Sequence, residues 1–186
     1  RPPISTLFPY TTLFRSEIQS ASEILDELRN LVKTALRQTG KSNEQKDGMD
    51  LALCVIDPVG EKIQYAGANN SLVFIRDHQL TTIAADKMPI GIHHREFPFT
   101  NHLLEVKKGD MLYLCSDGYQ DQFGGPEGRK YLIKNFRALL LQIHHHPLEK
   151  QKEILEEELI RWMSFSDVDG KNFSQLDDIL VIGIGI

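Results

Sequence analysis

The sequence predicts an α+β fold, a layered sandwich of helices on antiparallel sheets. Three observations predict it: short β-branched and aromatic runs occupy much of residues 49–116, two amphipathic helical stretches follow them, and an apolar strand returns at residues 178–186. The chain has 186 residues, of which 41% are hydrophobic and 25% charged. It is therefore large enough to enclose a hydrophobic core and has the composition of a globular domain.

Residues 1–16 do not fit this pattern. They read RPPISTLFPYTTLFRS and keep no helical or strand period. Residues 6–16 resemble the translation of a widely used short-read sequencing adapter, so we interpret residues 1–16 as a non-native, adapter-derived segment. An interdomain linker is the alternative, and a signal peptide is excluded because Pro9 and polar residues break the apolar segment. We assign residues 17–186 to the folded domain.

The first element of the predicted fold is a helix at residues 19–38. Its apolar residues recur every three or four positions between residues 24 and 36, and Gly40 follows as a stop signal. Ser22 does not form a capping box with Leu25, so the pattern leaves the first residue of this helix open.

Short strands are predicted next, because β-branched and aromatic runs alternate with turn residues. Turns at residues 58–60, 69–71 and 107–110 predict hairpins between successive strands. Residues 78–84 are a further candidate strand, and residues 85–102 hold two prolines and predict an excursion over the sheet. The predicted strands are residues 49–57, 62–68, 72–77, 103–106 and 111–116.

Two helices and a last strand complete the predicted domain. Apolar stripes at residues 132–143 and 154–163 predict helices that Pro147 separates. Residues 164–175 predict a polar loop, and residues 178–186 predict the strand that returns to the sheet.

Charge and cysteine content limit the partners and the compartment. The net charge is −5 and no long basic run occurs, so no nucleic-acid partner is expected. Cys54 and Cys115 lie in apolar, strand-like runs, which predicts buried thiols in a reducing cytoplasm and no disulfide framework. No apolar stretch approaches the roughly 20 residues that span a bilayer, so no membrane contact is expected of this segment. An upstream membrane or sensor domain stays open.

Acidic residues stand at the ends of apolar strands. Asp117 follows the strand at residues 111–116, and Gly118 permits a sharp turn there. Asp121 lies four residues beyond Asp117, within its reach if the intervening turn is helical. The pair Asp177-Asp178 precedes the last strand in the same way.

A third acidic segment begins at Asp47, ahead of the strand that starts near residue 49. Carboxylates gathered at strand ends are costly to desolvate unless a cation neutralises them. Mg²⁺ and Mn²⁺ prefer oxygen ligands, position phosphate groups and lower the pKa of bound water. For any one segment alone, an ordinary turn acid is the simpler interpretation.

Taken together, the motifs resemble a known family. LYLCSDGYQDQFGG, followed by QLDDILVIGI, resembles the two C-terminal motifs of the SpoIIE-like, type 2C metal-dependent serine/threonine protein phosphatases. DGMDLALCVID, YAGANN and KMPIG are similar to other segments of that family. The resemblance implies an α-β-β-α sandwich whose cleft holds two Mn²⁺ or Mg²⁺ ions, with a third, weaker ion in the intact domain.

The resemblance also implies a role for individual residues. Asp117 and Asp177 would ligate the same ion, and Asp121 and Asp47 would help to hold the weaker third ion. Asp178 would stand behind the ligands, and Gly118 would let the backbone approach the site.

The chain departs from the family in its first part. The family's upstream metal-binding acids, including an Asp-x-x-Gly-His-Gly segment, do not occur in residues 17–46. We therefore expect an N-terminally truncated domain whose own phosphatase activity is negligible.

The function that the resemblance implies is hydrolysis of phosphoserine or phosphothreonine on a regulatory protein in a bacterial signalling pathway. An anti-anti-sigma-type regulator is the implied partner. The alternative is a catalytically silent module of the same fold that binds a regulator.

Other chemistries match the sequence less well. A cysteine phosphatase needs an arginine six residues after the nucleophile, but Asp121 stands six residues after Cys115. The histidines at positions 144–146 follow a predicted helix and have no Cys or carboxylate partners at ligand spacing, so no zinc site is expected there.

Overall fold

The computed structural model describes residues 20–40, 47–56, 62–165, 170 and 172–186, which fold as two units. The first unit comprises the described residues up to Asn69 together with Ala84–Val106. The second comprises Asn70–Ile83 and the described part of Lys107–Ile186. The interpretation of residues 1–16 lies outside the described residues and stays a prediction.

Helices and strands occur in both units, which confirms the predicted α+β class. The helices are α1 (Ala21–Ala35), α2 (Gly118–Asp121), α3 (Ile133–Ile143) and α4 (Leu148–Met163). The strands are β1 (Gly48–Met49), β2 (Leu51–Ile56), β3 (Lys62–Ala68), β4 (Leu72–Arg76), β5 (Gln79–Ile83), β6 (Ile90–Gly91), β7 (His102–Glu105), β8 (Met111–Cys115), β9 (Phe123–Gly124), β10 (Arg129–Lys130) and β11 (Val181–Gly185). Within the described ranges, no helix has the length and apolarity needed to cross a bilayer.

Helix α1 covers one face of the first unit's sheet. Its start is fixed by a capping box, in which the Ser20 hydroxyl accepts from the Glu23 amide and the Glu23 carboxylate accepts from the Ser20 amide. The signal in the sequence is therefore Ser20-x-x-Glu23. The spacing from Ser22 to Leu25, two residues later, does not form a capping box. The apolar stripe that predicted the helix is partly buried in the core, with Leu25 fully covered.

The first unit's sheet has the order β2-β3-β7, with antiparallel pairs. The predicted hairpin between β2 and β3 is confirmed. The predicted hairpin between β3 and β4 is wrong, because β4 belongs to the sheet of the second unit. At the end of β3 the chain does not turn back: the Asn69 amide donates to Asp86 O at 2.9 Å, and the Asp86 amide donates to Gly67 O. Those bonds use the backbone groups that a hairpin turn would have needed.

The second unit's sheet has the order β11-β8-β4-β5, again antiparallel. The candidate strand at residues 78–84 is confirmed as β5, joined to β4 by a tight turn in which Asp77 and His78 have positive φ. The predicted hairpin between β7 and β8 is wrong, since β7 pairs with β3. The turn itself forms, closed by the Lys107 amide, which donates to the Asp110 carboxylate at 2.8 Å.

Helices α3 and α4 supply the core that supports this sheet. Phe136 and Leu140 of α3 and Leu155 of α4 are buried with side chains from β4 and β8. Tyr113 of β8 donates to Gln151 Oε1 at 2.7 Å, and Gln151 Nε2 donates to His146 O at 2.8 Å. This buried network fixes α4 to the sheet and occupies the polar groups of the α3–α4 connection.

Candidate metal centre

The turn after β8 carries the first predicted ligand. Asp117 directly precedes the one-turn helix α2, and the Asp121 amide donates to Asp117 O at 3.0 Å. The helical turn that the spacing required is therefore confirmed. Tyr119, which is 2% exposed, donates its hydroxyl proton to Leu155 O at 2.9 Å, so the turn is anchored on helix α4.

The second acidic segment meets this turn through Ser116. The Ser116 amide donates to Leu180 O at 3.0 Å, and the Ser116 hydroxyl donates to Asp178 O at 3.0 Å. The same hydroxyl accepts from the Leu180 amide at 2.9 Å. These bonds continue the β8–β11 pairing beyond the last ladder pair, Cys115 with Val181. The backbone at residues 116–118 is thereby held against residues 178–180.

Gly118 allows the close approach at this point. A Cβ atom at position 118 would overlap with the carbonyl oxygen of Asp178 and lie 3.1 Å from Cγ1 of Ile179. Because the obstacle is backbone, it cannot move aside as a flexible side chain would. The prediction that Gly118 serves backbone approach agrees with this geometry; its role towards a metal stays a prediction.

The acidic side chains differ in their ionic partners. Asp117, Asp177 and Asp178 are exposed, and no described residue pairs with their carboxylates. Asp121 instead forms an ion pair in which Lys130 Nζ lies 2.9 Å from Oδ2. The exposed acids are therefore free to accept a cation, whereas Asp121 already has one.

The donor set fits a hard divalent cation in part. It consists of carboxylate oxygens on converging backbone segments, which are the ligands that Mg²⁺ and Mn²⁺ prefer. Close by in sequence, Gln122 has a buried side-chain oxygen with no donor among the described residues. Within the described ranges, however, no three His, Cys, Asp or Glu side chains are grouped to hold an ion. The assignment of Asp117, Asp177 and Asp121 as metal ligands therefore stays a prediction.

Asp47, the remaining candidate ligand, lies in the first unit. It is exposed, and its carbonyl oxygen accepts from Gln38 Nε2 at 2.6 Å. Its assignment to the weaker ion stays a prediction.

Two residues that the sequence did not indicate form hydrogen bonds to the segment around Asp177 and Asp178. Ser116 connects the two acidic segments, and Gln122, which is 1% exposed, donates from Nε2 to Ser174 O at 2.9 Å in the loop ahead of Asp177. The signal for Ser116 was a hydroxyl at the end of an otherwise apolar strand. Gln122 gave no signal for its contact with the second acidic segment, because Ser174 is distant from it in the sequence.

We expect the variant Ser116→Ala to bind Mn²⁺ about tenfold more weakly than the parent, because it loses both side-chain hydrogen bonds that hold the second acidic segment. Calorimetric titration with Mn²⁺ measures the change. Ser116→Thr retains the hydroxyl and serves as the control, so a loss of the same size in both variants would contradict this role.

Cys115 is the last residue of strand β8 and directly precedes Ser116. Burial raises the pKa of its thiol to about 12, so the reactive thiolate is scarce at neutral pH.

Comparisons with known proteins place the fold. The family model described as Stage II sporulation protein E (SpoIIE) matches residues 7–186. The SiaA-PP2C domain of Pseudomonas aeruginosa is similar in structure, with a TM-score of 0.77 and 21% identity over 95% of this chain and 65% of that one. No curated protein sequence matches.

Two further solved structures have the same fold. The phosphatase domain of SpoIIE from Bacillus subtilis, presoaked with Mn, has a TM-score of 0.58 and 21% identity over 95% of this chain and 69% of that one. The RsbU and RsbW domains of Rv1364c from Mycobacterium tuberculosis give a TM-score of 0.62 and 18% identity over 93% and 44%. The chain therefore has the PP2C phosphatase fold and spans only part of the structures that it matches.

Proposed function

The chain belongs to the SpoIIE family, and from this membership we propose that it is part of a metal-dependent protein phosphatase domain. Its proposed reaction is hydrolysis of phosphoserine or phosphothreonine on a regulatory protein. The observation that carries the proposal is the junction of two acidic segments, in which Ser116 and Gly118 hold the backbone beside Asp117 against that of Asp178.

The proposed ligands of one ion are Asp117 and Asp177. Asp121 would help to hold a further, more weakly bound ion, and Asp178 would lie behind the ligands without binding the ion itself. The carboxylates of Asp117 and Asp177 are both exposed and have no cationic partner among the described residues, and carboxylate oxygens are the ligands that Mn²⁺ and Mg²⁺ prefer. Mn²⁺ or Mg²⁺, when bound, would supply charge that binds a phosphoryl group and activates water.

Neighbouring residues of the chain hold the proposed ligands in place. Tyr119 fixes the turn of Asp117 to helix α4, and Ser116 fixes the segment of Asp178 to the same strand end. Ligands that are held before an ion arrives need less reordering when it binds. We propose that this rigidity is what the second unit supplies to catalysis.

The substrate is proposed as a phosphorylated regulator of the anti-anti-sigma type. The support is family membership together with the fold likeness to the RsbU and RsbW domains of Rv1364c. The net charge of −5 makes nucleic acid a poor alternative partner.

We expect Asp117→Asn and Asp177→Asn each to weaken Mn²⁺ binding by at least about tenfold, since each removes an anionic oxygen ligand. Isothermal titration of the purified chain with Mn²⁺ measures this. Glu149→Gln, which removes an exposed acid on helix α4, is the matched control and should bind as the parent does. Equal affinities in all four proteins would refute the proposed ligands.

The same samples test the reaction class. Inorganic phosphate should bind to the Mn²⁺-loaded parent and not to the metal-free parent, because a phosphatase centre holds its product through the metal. Mn²⁺ binding without phosphate binding would favour the alternative, a catalytically silent regulator-binding module. The observation that favours this alternative is that, among the described residues, no three His, Cys, Asp or Glu side chains are grouped to hold an ion.

A further inference from the structure

Strand β11 forms one edge of the second unit's sheet, where β8 is its one neighbour among the described strands. The Ile186 amide donates to Asp110 O at 3.0 Å, which fixes the phase of the β8–β11 ladder. In an antiparallel ladder, residues that bond to the neighbouring strand alternate with residues that do not. The backbone N–H and C=O groups of Val181, Gly183 and Gly185 therefore point away from β8, towards the edge that no described strand covers.

This edge lacks the features that normally keep an edge strand from pairing further. Proteins protect such edges with charged side chains, with proline or with a bulge. Residues 179–186 read ILVIGIGI and include neither a charged residue nor a proline. The 5 residues of β11 pair with β8 without a break in register, while Leu180 and Ile182 remain 58% and 43% exposed. The edge is thus apolar and regular, as the addition of another strand requires.

The sequence of β11 is complementary to itself in an antiparallel pair. With a twofold axis at Gly183, Val181 of one copy lies opposite Gly185 of the other, and the two copies of Gly183 face each other. Because these residues direct their backbone groups outward, each would both donate to and accept from the second copy. Ile182 would then lie opposite Ile184, an apolar pair that covers the exposed Ile182 side chain. No charged side chain enters this pairing, so nothing in it repels a second copy.

We propose that β11 pairs antiparallel with β11 of a second copy of this chain, which joins the sheets of two second units into one continuous sheet. The inference goes beyond the proposed function and needs no metal ion. Its support is the outward backbone groups, the exposed apolar side chains and the self-complementary register. Because the paired strands are short, the dimer is weak, with a dissociation constant of about 10–100 µM.

Analytical ultracentrifugation of the purified chain between about 5 and about 500 µM tests the association, because this range brackets the expected constant. The parent should shift from monomer to dimer as its concentration rises. Ile182→Lys should raise the dissociation constant at least about tenfold, because it places a charge in an apolar cross-strand pair and two like charges at diagonal positions across the axis. Thr81→Lys is the matched control: it adds the same charge to an exposed position on β5, the other edge of this sheet, and should associate as the parent does.

Amide hydrogen exchange of the parent, measured by mass spectrometry at single-residue resolution, tests the register without a substitution. The amides of Val181, Gly183 and Gly185 should exchange about three- to tenfold more slowly in the concentrated sample than in the dilute one. The amides of Ile182 and Ile184, which face β8, should be protected in both samples. This pattern decides the question even if Ile182→Lys does not fold.

Several outcomes would overturn the inference. One is a chain that stays monomeric over the whole range of concentration. Another is protection of the outward amides in the dilute, monomeric sample, which would mean that another segment of the same chain covers the edge. Dimerisation that Ile182→Lys leaves unchanged would place the interface elsewhere, and equal weakening by Thr81→Lys would indicate a general charge effect.

Discussion

Replacing Arg76 with Met should destabilise the second unit by about 2–3 kcal/mol. The Asp110 carboxylate is 1% exposed, and Arg76 binds it through two nitrogens, with Nε 2.9 Å from Oδ1. Removing the guanidinium would leave a buried carboxylate with the Lys107 amide as its described partner. Breaking a buried pair in this way typically costs about 3–5 kcal/mol, and we expect less because the Arg76 side chain is 35% exposed.

Urea denaturation followed by fluorescence measures this change. Trp162 is the single tryptophan of the chain and lies in the second unit, so its emission reports on that unit. Lys107→Met is the control: it removes an ion pair with Asp77 whose partners are 56% and 74% exposed, and it should cost less than about 0.5 kcal/mol. Similar losses in the two variants would contradict the importance of the buried pair.

The ion pair between Arg76 and Asp110 should also change how the stability of the second unit depends on pH. The hydrogen bond from Arg76 holds the pKa of Asp110 below its usual range, against the opposing effect of burial. A lowered folded-state pKa gives stability that is complete above the unfolded value, near about 4, and is lost as the pH falls through the folded value. The difference in stability between parent and Arg76→Met should therefore shrink as the pH falls below about 4.

Replacing Gly118 with Ala should weaken Mn²⁺ binding by at least about tenfold and lower the free energy of unfolding by about 2 kcal/mol. The added methyl group meets the Asp178 carbonyl oxygen, so the two acidic segments must separate. Displacing groups that orient metal ligands costs about 10- to 100-fold in affinity. Mn²⁺ calorimetry and urea denaturation of the same preparation measure both quantities.

Gly185→Ala is the matched control for this variant. Gly185 lies on strand β11, and the nearest atom that its Cβ would meet is Met111 Sδ at 3.3 Å, the flexible part of a side chain. It should bind Mn²⁺ as the parent does, with little change in stability. If Gly118→Ala also retained the parent's affinity, the approach of residues 118 and 178 would not be needed for the metal centre.

Local features of both units could be predicted from the sequence because neighbouring residues determine them. The apolar period that ends near Leu36 predicted helix α1, and the spacing of Asp117 and Asp121 anticipated one helical turn. The capping box of Ser20 and Glu23 was also present in the sequence, although we did not use it.

Strand partners could not be predicted in the same way. The turn at residues 69–71 is typical of a hairpin, yet β3 and β4 belong to different sheets. The turn closed by Asp110 forms as its residues suggest, but the strands that it joins also have different partners. A turn depends on adjacent residues, whereas the partner of a strand depends on which distant apolar surface covers it.

The sequence by itself determined the family, the fold class and the acidic residues that we propose as ligands, because these depend on residue types and short spacings. Only the tertiary structure decided that Ser116 would connect Asp178 to the first acidic turn, and that Lys130 would pair with Asp121. The physical reason is that these contacts join residues brought together by hydrogen bonds between strands. Their geometry is set by strand register, which no local pattern in the chain encodes.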